Sequence, residues 1–298
     1  MWNTLKVGVL LTVMTALFIG GGTLIGGQQG AIIAFVLALA MNVGSYWFSD
    51  KIVLKMYGAQ PVTEREAPQL YEMTARLSQR AGIPMPKLYV IDDPQPNAFA
   101  TGRSPQHAAV AVNQGLLRLL DQREVEGVVA HELAHIKHRD TLTMTIVATL
   151  AGAIMMLVQI AQFAAIFGGG SRDDEEGGTN MFALIAMMLV APIAATLIQL
   201  AVSRAREYEA DATGARIAGT PAGLMNALTK LERGAEMIPS HANPQTAHMF
   251  IVNPLAGAGG LVNLFRTHPA TQDRVARLRA MSGGSAVGSG QPFVTSTH

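Results

Sequence analysis

The polarity of this chain is distributed in long blocks. From Val7 to Ser49 there are 43 consecutive residues with no Asp, Glu, Lys, Arg or His. One membrane crossing needs about 20 apolar residues, so this block predicts two helices. The polar break "GGQQG" at 26–30 predicts the turn between them. Two further uncharged runs, 141–171 and 177–203, flank the acidic "RDDEE" at 172–176. Each is long enough for one crossing. The expected spans are about 7–26, 31–49, 142–168 and 180–202, with Pro192 as a tolerated kink in the last. A cleaved leader is disfavoured for the first block, because a second apolar span follows at once.

Between these blocks the pattern changes to that of folded, water-facing elements. Leu70, Met73 and Leu77 have helical spacing, and predict a helix over 62–82 that ends at Gly82. Residues 87–93 and 108–113 read as short strands. Asp121 with Glu124 three residues on predicts a capped helix start, followed by the contacts of Val125, Val128, Val129 and Leu133. Residues 203–219 and 221–236 predict two more helices. The stretch 238–260 reads as irregular, 267–281 as a turn and a short basic helix, and 282–298 as a disordered tail. The organisation is therefore 1–50, a membrane hairpin; 51–140, the first part of a folded domain; 141–202, a second hairpin; 203–281, the second part; and 282–298, the tail.

Charge orients this arrangement. Lys6, Lys51, Lys55, Lys137, Arg139, Arg204 and Arg206 border the spans on one side, while the connecting turns carry one Arg among four acids. Positive residues mark the cytoplasmic side, so both parts of the domain are expected there. Charged residues make up 14% of the chain, against roughly 25% in an average soluble domain. The net charge of +1 gives no sign of nucleic-acid binding. The absence of Cys excludes disulfides and Cys-ligated metal.

The chemistry lies in "HELAHIKHRD", residues 131–140. On a helix His131 and His135 stack one turn apart and can share a metal ion, with Glu132 free to act as a base. A third ligand is needed. His138 lies about 10 Å along the axis from His131 at 1.5 Å per residue, with no Gly to bend the helix and Lys137 and Arg139 beside it. Glu207 and Asp211 are better placed: they share a face of the helix after the second hairpin, which returns the chain beside residue 140. Glu209 points away from that face. A metal-binding protein without activity would not need Glu132. A metal transporter is disfavoured by the lack of ionisable residues in the spans.

"HELAH" before a membrane hairpin, "SRAREYEAD" after it, "NAFATG" at 97–102, "FIVNPL" at 250–255 and "THPATQDRVARL" at 267–278 together resemble the HtpX-type integral-membrane zinc proteases, relatives of the prenyl-protein endoproteases. The resemblance implies a mainly α fold with a small β-sheet: four transmembrane helices and a zincin-like metalloprotease domain. It implies one Zn²⁺ on His131, His135 and Glu207, Glu132 as general base and Asp211 behind the ligands. His268 and Asn97 would steady the reacting carbonyl, and Arg274 would line the site. It also implies a bacterial or archaeal inner membrane, a cytoplasm-facing site, and membrane and misfolded proteins as substrates. The strand near 108–113 is expected to pair with an extended substrate.

Overall fold

The computed structural model describes residues 2–149, 204–237, 249–252 and 269–282. Helix α1 (Trp2–Met56) is helical throughout yet folds back on itself at Gly27, whose φ of 56° lies in the left-handed region. Asn42 Nδ2 donates to Thr15 Oγ1 at 2.8 Å across 27 residues of chain, which in a straight helix would span about 40 Å. Gly22 and Gly30 meet so closely that a Cβ on either would strike the other's carbonyl oxygen. The first two expected spans coincide in sequence with the two arms of this hairpin. Its second arm, Gly27–Met56, is, among the described residues, the helix long and apolar enough to cross a membrane; Val7–Gly20 is a shorter apolar helix. Of the other two expected spans only 142–149 is described, and it is helical. Beyond Ser282 the tail lies outside the described residues.

The second arm continues beyond the expected boundary at residue 50. Its last turns bury Val53 and Leu54 against Ile91, Phe99, Ala109, Ala111, Ala148 and Met249. These residues lie on one face of a four-stranded sheet: β1 (Gln60–Pro61), β2 (Lys87–Ile91), β3 (Ala98–Gly102) and β4 (Ala108–Asn113), in the order β1-β2-β4-β3. The pair β2–β4 is parallel, with Leu88 opposite Val110; β3–β4 is antiparallel, with Ala100 opposite Val110. Because both faces are covered, β4 is buried at every position, and its sequence "AAVAVN" is apolar almost throughout. β4 is also paired on both edges, so 108–113 cannot accept a substrate strand as expected. β3 is an end strand of the sheet, as is the two-residue β1.

The opposite face carries the main core. Leu88, Ala98, Ala100, Val110 and Val112 pack with Leu70, Met73 and Leu77 of α2 (Pro68–Ala81) and with Val128, Val129 and Leu133 of α4 (Gln122–His138). A short helix, α3 (Gln114–Leu119), follows β4. Helix α2 begins six residues later than expected. Pro68 opens it, and the preceding residues form a turn in which Glu66 accepts the Thr63 N–H at 2.7 Å. Helix α4 starts as expected: Asp121 accepts the N–H groups of Arg123 and Glu124, and Glu124 accepts the Asp121 N–H.

Against α4 lie α5 (Arg204–Ala218) and α6 (Ala222–Met237), with α7 (Thr271–Met281) packed on both of these. Glycines set the closeness. A Cβ on Gly214 would stand 2.9 Å from His131 Cα, and one on Gly127 would strike the Leu224 backbone. Gly214→Ala is therefore expected to push α5 off α4 and lower stability by about 1–3 kcal/mol, the usual cost of overpacking. Gly234→Ala, which meets only the side-chain ends of Leu119 and Pro96 at 3.2–3.3 Å, is expected to be near neutral. Thermal unfolding of both variants in detergent checks the contrast.

Candidate metal centre

Helix α4 presents His131, Glu132 and His135 on its buried side, and α5 presents Glu207 and Asp211 opposite them. The Nε2 atoms of the two histidines are 3.2 Å apart. Glu207 Oε1 lies 3.6 Å from His135 Nε2, and its Oε2 lies 3.9 Å from His131 Nε2. One ligand atom from each of the three residues falls within 4.8 Å of the others. The remaining ring nitrogens are turned away: His131 Nδ1 is 3.0 Å from Asp211 Oδ1, and His135 Nδ1 is 3.3 Å from Asp140 Oδ2. With a carboxylate beside each Nδ1, both Nε2 atoms face a common point, as histidine ligands are ordinarily held, and Arg274 Nη2 also lies 3.4 Å from His131 Nε2. Two imidazoles and a carboxylate are a donor set suited to zinc.

Helix α4 ends where this geometry requires it. Arg139 takes φ 60°, the one non-glycine residue at positive φ among the described residues, and the helix restarts at 140 in a new direction. With that break, Asp140 meets His135 Nδ1. Sequence reasoning missed Asp140, because the break has no glycine to announce it. His138, in the last turn of α4, lies outside the cluster, its Nε2 3.4 Å from Thr213 Oγ1. Glu209 is exposed on the far side of α5 and, with His138, Lys137, Arg80, Thr213 and Arg216, lines a separate cavity of about 370 Å³.

Glu132 is not one of the clustered ligands. Its Oε2 accepts the Ala100 N–H at 2.8 Å, from the outer edge of β3. Arg274, from α7, is 1% exposed and grips Asp211 with two hydrogen bonds, Nε to Oδ2 at 2.8 Å and Nη2 to Oδ1 at 2.7 Å. Its Nη1 donates to the Ile251 carbonyl at 2.7 Å, while Asn97 Oδ1 accepts the Ile251 N–H at 3.2 Å. The sequence-predicted Asn97 and Arg274 thus hold one residue between them. Met249, Phe250 and Ile251 line the site with Phe99 and Met144, leaving a cavity of about 20 Å³, room for one water. His268 lies outside the described residues.

Burial is the largest single influence on His131, Glu132, His135 and Asp211, but their partners decide the direction for His135 and Asp211. Burial lowers the His131 pKa and outweighs the nearby Asp211. It also opposes protonation of His135, but the hydrogen bond to Asp140 and the charges of Glu207 and Glu132 hold that ring up at about 9. For Asp211 the charge and hydrogen bonds of Arg274 overcome burial and bring the carboxyl down to about 2. Burial pushes Glu132 up to about 7, helped by Glu207 and opposed by His135 and the Ala100 N–H.

The Glu132 shift has a stability consequence. The unfolded carboxyl ionises near 4.5 and the folded one near 7, so the fold loses stability as pH rises across that interval. In protein stripped by a chelator, Glu132→Gln is expected to match the parent near pH 4.5 and exceed it above pH 7, by up to about 3 kcal/mol at roughly 1.4 kcal/mol per unit. Unfolding midpoints measured across that range test this, and parallel curves would contradict it.

A model of peptidase family M48 matches residues 64–282. "Protease HtpX homolog" from Desulforapulum autotrophicum is 55% identical over 94% of this chain and 90% of its own. The protein of that name from Paraburkholderia phytofirmans is 56% identical over 95% and 98%, and that from Thermodesulfovibrio yellowstonii 58% over 94% and 99%. Among solved structures, S. mikatae Ste24p has a TM-score of 0.49 at 18% identity; the match covers 93% of this chain and 64% of that one. The helix-borne His-Glu-x-x-His, the carboxylate brought to it by α5, the family model over 64–282 and the HtpX homologues at 55–58% identity agree: the chain belongs to peptidase family M48, and is a metalloprotease.

Proposed function

We propose that the chain is a zinc-dependent endopeptidase of the bacterial or archaeal cytoplasmic membrane, with four membrane crossings and its site facing the cytoplasm, that cleaves membrane and misfolded proteins in quality control. The observation that carries the catalytic part is Glu132. It lies beside the three ligands without joining them, is anchored through Oε2 by Ala100, and has burial bring its carboxyl close to neutral pH. When bound on His131, His135 and Glu207, zinc supplies the Lewis acidity that polarises a scissile carbonyl and acidifies water.

The protein's own groups do the rest. Glu132 takes the proton of the attacking water at Oε1, the oxygen left by Ala100, and passes it to the departing amine. Asp211 keeps His131 in the tautomer whose Nε2 faces the ion, and Arg274 keeps Asp211 ionised. His268 and Asn97 are proposed to act on the oxyanion or the substrate backbone. In place of 108–113, the outer edge of β3 is the proposed pairing strand, because Ala100 already directs its N–H away from β4. Lipid contact is proposed for the exposed Ile33, Val36, Leu37 and Val43 of α1. The orientation rests on the positive residues that border the spans.

Two experiments test this reading. Casein or membrane-protein cleavage by the purified protein is expected to stop on chelation. Glu132→Gln is expected to keep zinc and lose turnover by at least about a hundredfold, the lower range for acid–base catalysis. Glu207→Gln is expected to lose both. Near-normal turnover in Glu132→Gln would overturn the mechanism. For topology, a thiol reagent that cannot cross membranes is expected to label Asp174→Cys and spare Ser104→Cys in spheroplasts, with no native Cys to interfere. The reverse pattern would overturn the orientation.

A further inference from the structure

The two histidines of the site are backed in the same way. On one side His131 Nδ1 faces Asp211, whose carboxylate is gripped by Arg274. On the other side His135 Nδ1 faces Asp140 Oδ2 at 3.3 Å, and the second oxygen, Asp140 Oδ1, lies 3.7 Å from Arg206 Nη1. Asp140 is 2% exposed, and the Arg206 side chain is 14% exposed. Among the described residues, both Nη atoms of Arg206 are buried without a hydrogen-bonding partner, and the Asp140 carboxylate is the charge beside this guanidinium. We propose that Asp140 and Arg206 form a second clasp, in which Arg206 fixes the Asp140 carboxylate and Asp140 fixes the ring of His135 for metal binding.

The position in the chain gives the clasp its significance. Asp140 is the first residue after the break at Arg139, where the chain leaves the site toward 141–203. Arg206 lies in the first turn of α5, where the chain returns, and its neighbour Glu207 approaches both histidines. The departing segment thus orients a ligand and the returning segment supplies one, with an ion pair between them. In a buried setting that pair is weakly screened, and an Asp140 carboxylate without its cation would be costly. Neither residue reaches the cavity where a substrate would sit, whose lining includes neither of them. Both are positioning residues, acting through His135.

This inference rests on the reading of His131, His135 and Glu207 as a zinc site, and the test separates the two. Zinc affinity of the full-length protein in detergent is measured by competition with a colorimetric chelator for the parent, Asp140→Asn, Arg206→Gln, the double variant and Arg206→Lys. Asp140→Asn is expected to weaken zinc binding about 10–100-fold, the range typical of a lost partner behind a ligand. Arg206→Gln is expected to weaken it by a smaller factor, Arg206→Lys to recover most of that loss, and the double variant to be no weaker than Asp140→Asn alone. Thermal unfolding of the chelator-stripped proteins, expected to differ little between parent and Arg206→Lys, separates ligand orientation from general destabilisation. If the two losses multiply, Arg206 does not act through Asp140 and the clasp is wrong; if Asp140→Asn leaves affinity within about twofold, Asp140 does not orient His135. Should Asp140→Asn not fold, Arg206→Gln against Arg206→Lys decides: a loss confined to Gln supports the clasp, and parent-like affinity in both overturns it. A parent protein that binds no zinc would overturn the zinc reading and the clasp together.

Discussion

Five ionisable side chains, His131, Glu132, His135, Glu207 and Asp211, are each no more than 6% exposed and cluster beneath an apolar sheet. Isolated charges cannot be buried at that density, and they persist here only as a compensated cluster. Arg274 supplies the positive charge on one side, with both Asp211 oxygens and the Ile251 carbonyl as its acceptors. The packing keeps that compensation in register. Gly214 lets the α5 backbone come against His131, and Gly127 and Gly223 do the same between α4 and α6. A side chain at Gly214 would separate groups of α4 and α5 whose mutual distances are 3–4 Å.

The same constraint explains why so polar a site adjoins so apolar a chain. Strands β3 and β4 are buried on both faces: helices α2 and α4 cover one side, and the end of α1 with Ala148 and Met249 covers the other. The helical hairpin of α1 is therefore part of the domain as well as a candidate membrane element. Arg103, after β3, lies over the Trp47 ring at 4.8 Å, and Thr101 of β3 bonds Thr145 at 3.0 Å. The strand that anchors Glu132 is thereby tied to both apolar segments. A shift of either is transmitted to the base through packed contacts rather than through a flexible linker.

What was legible in the sequence follows from how local each feature is. The start of α4 could be read because a capping box is made within four residues. His131, Glu132 and His135 could be placed because helical spacing alone puts them together. Glu207 and Asp211 could be paired with each other by the same rule, but spacing could not choose between them as ligand; the family resemblance favoured Glu207, and the distances agree. β3 was not read as a strand because a strand covered on both faces loses its alternation, and "AFATG" ends in a glycine. Strand 108–113 was recognised, but its neighbours depend on sheet order, which no local pattern records. Asp140 was missed because its position follows from one left-handed residue, Arg139, of a type that rarely takes that conformation.

The central claim is that two helices separated by an apolar segment close one metal site from two imidazoles and one carboxylate. X-ray absorption at the zinc edge of the purified, zinc-loaded protein addresses it most directly, because imidazole rings and carboxylate oxygens scatter differently. The account predicts two imidazoles at about 2.0–2.1 Å with the remaining ligands oxygen. A third imidazole, or a thioether sulfur from one of the 16 methionines, would contradict it.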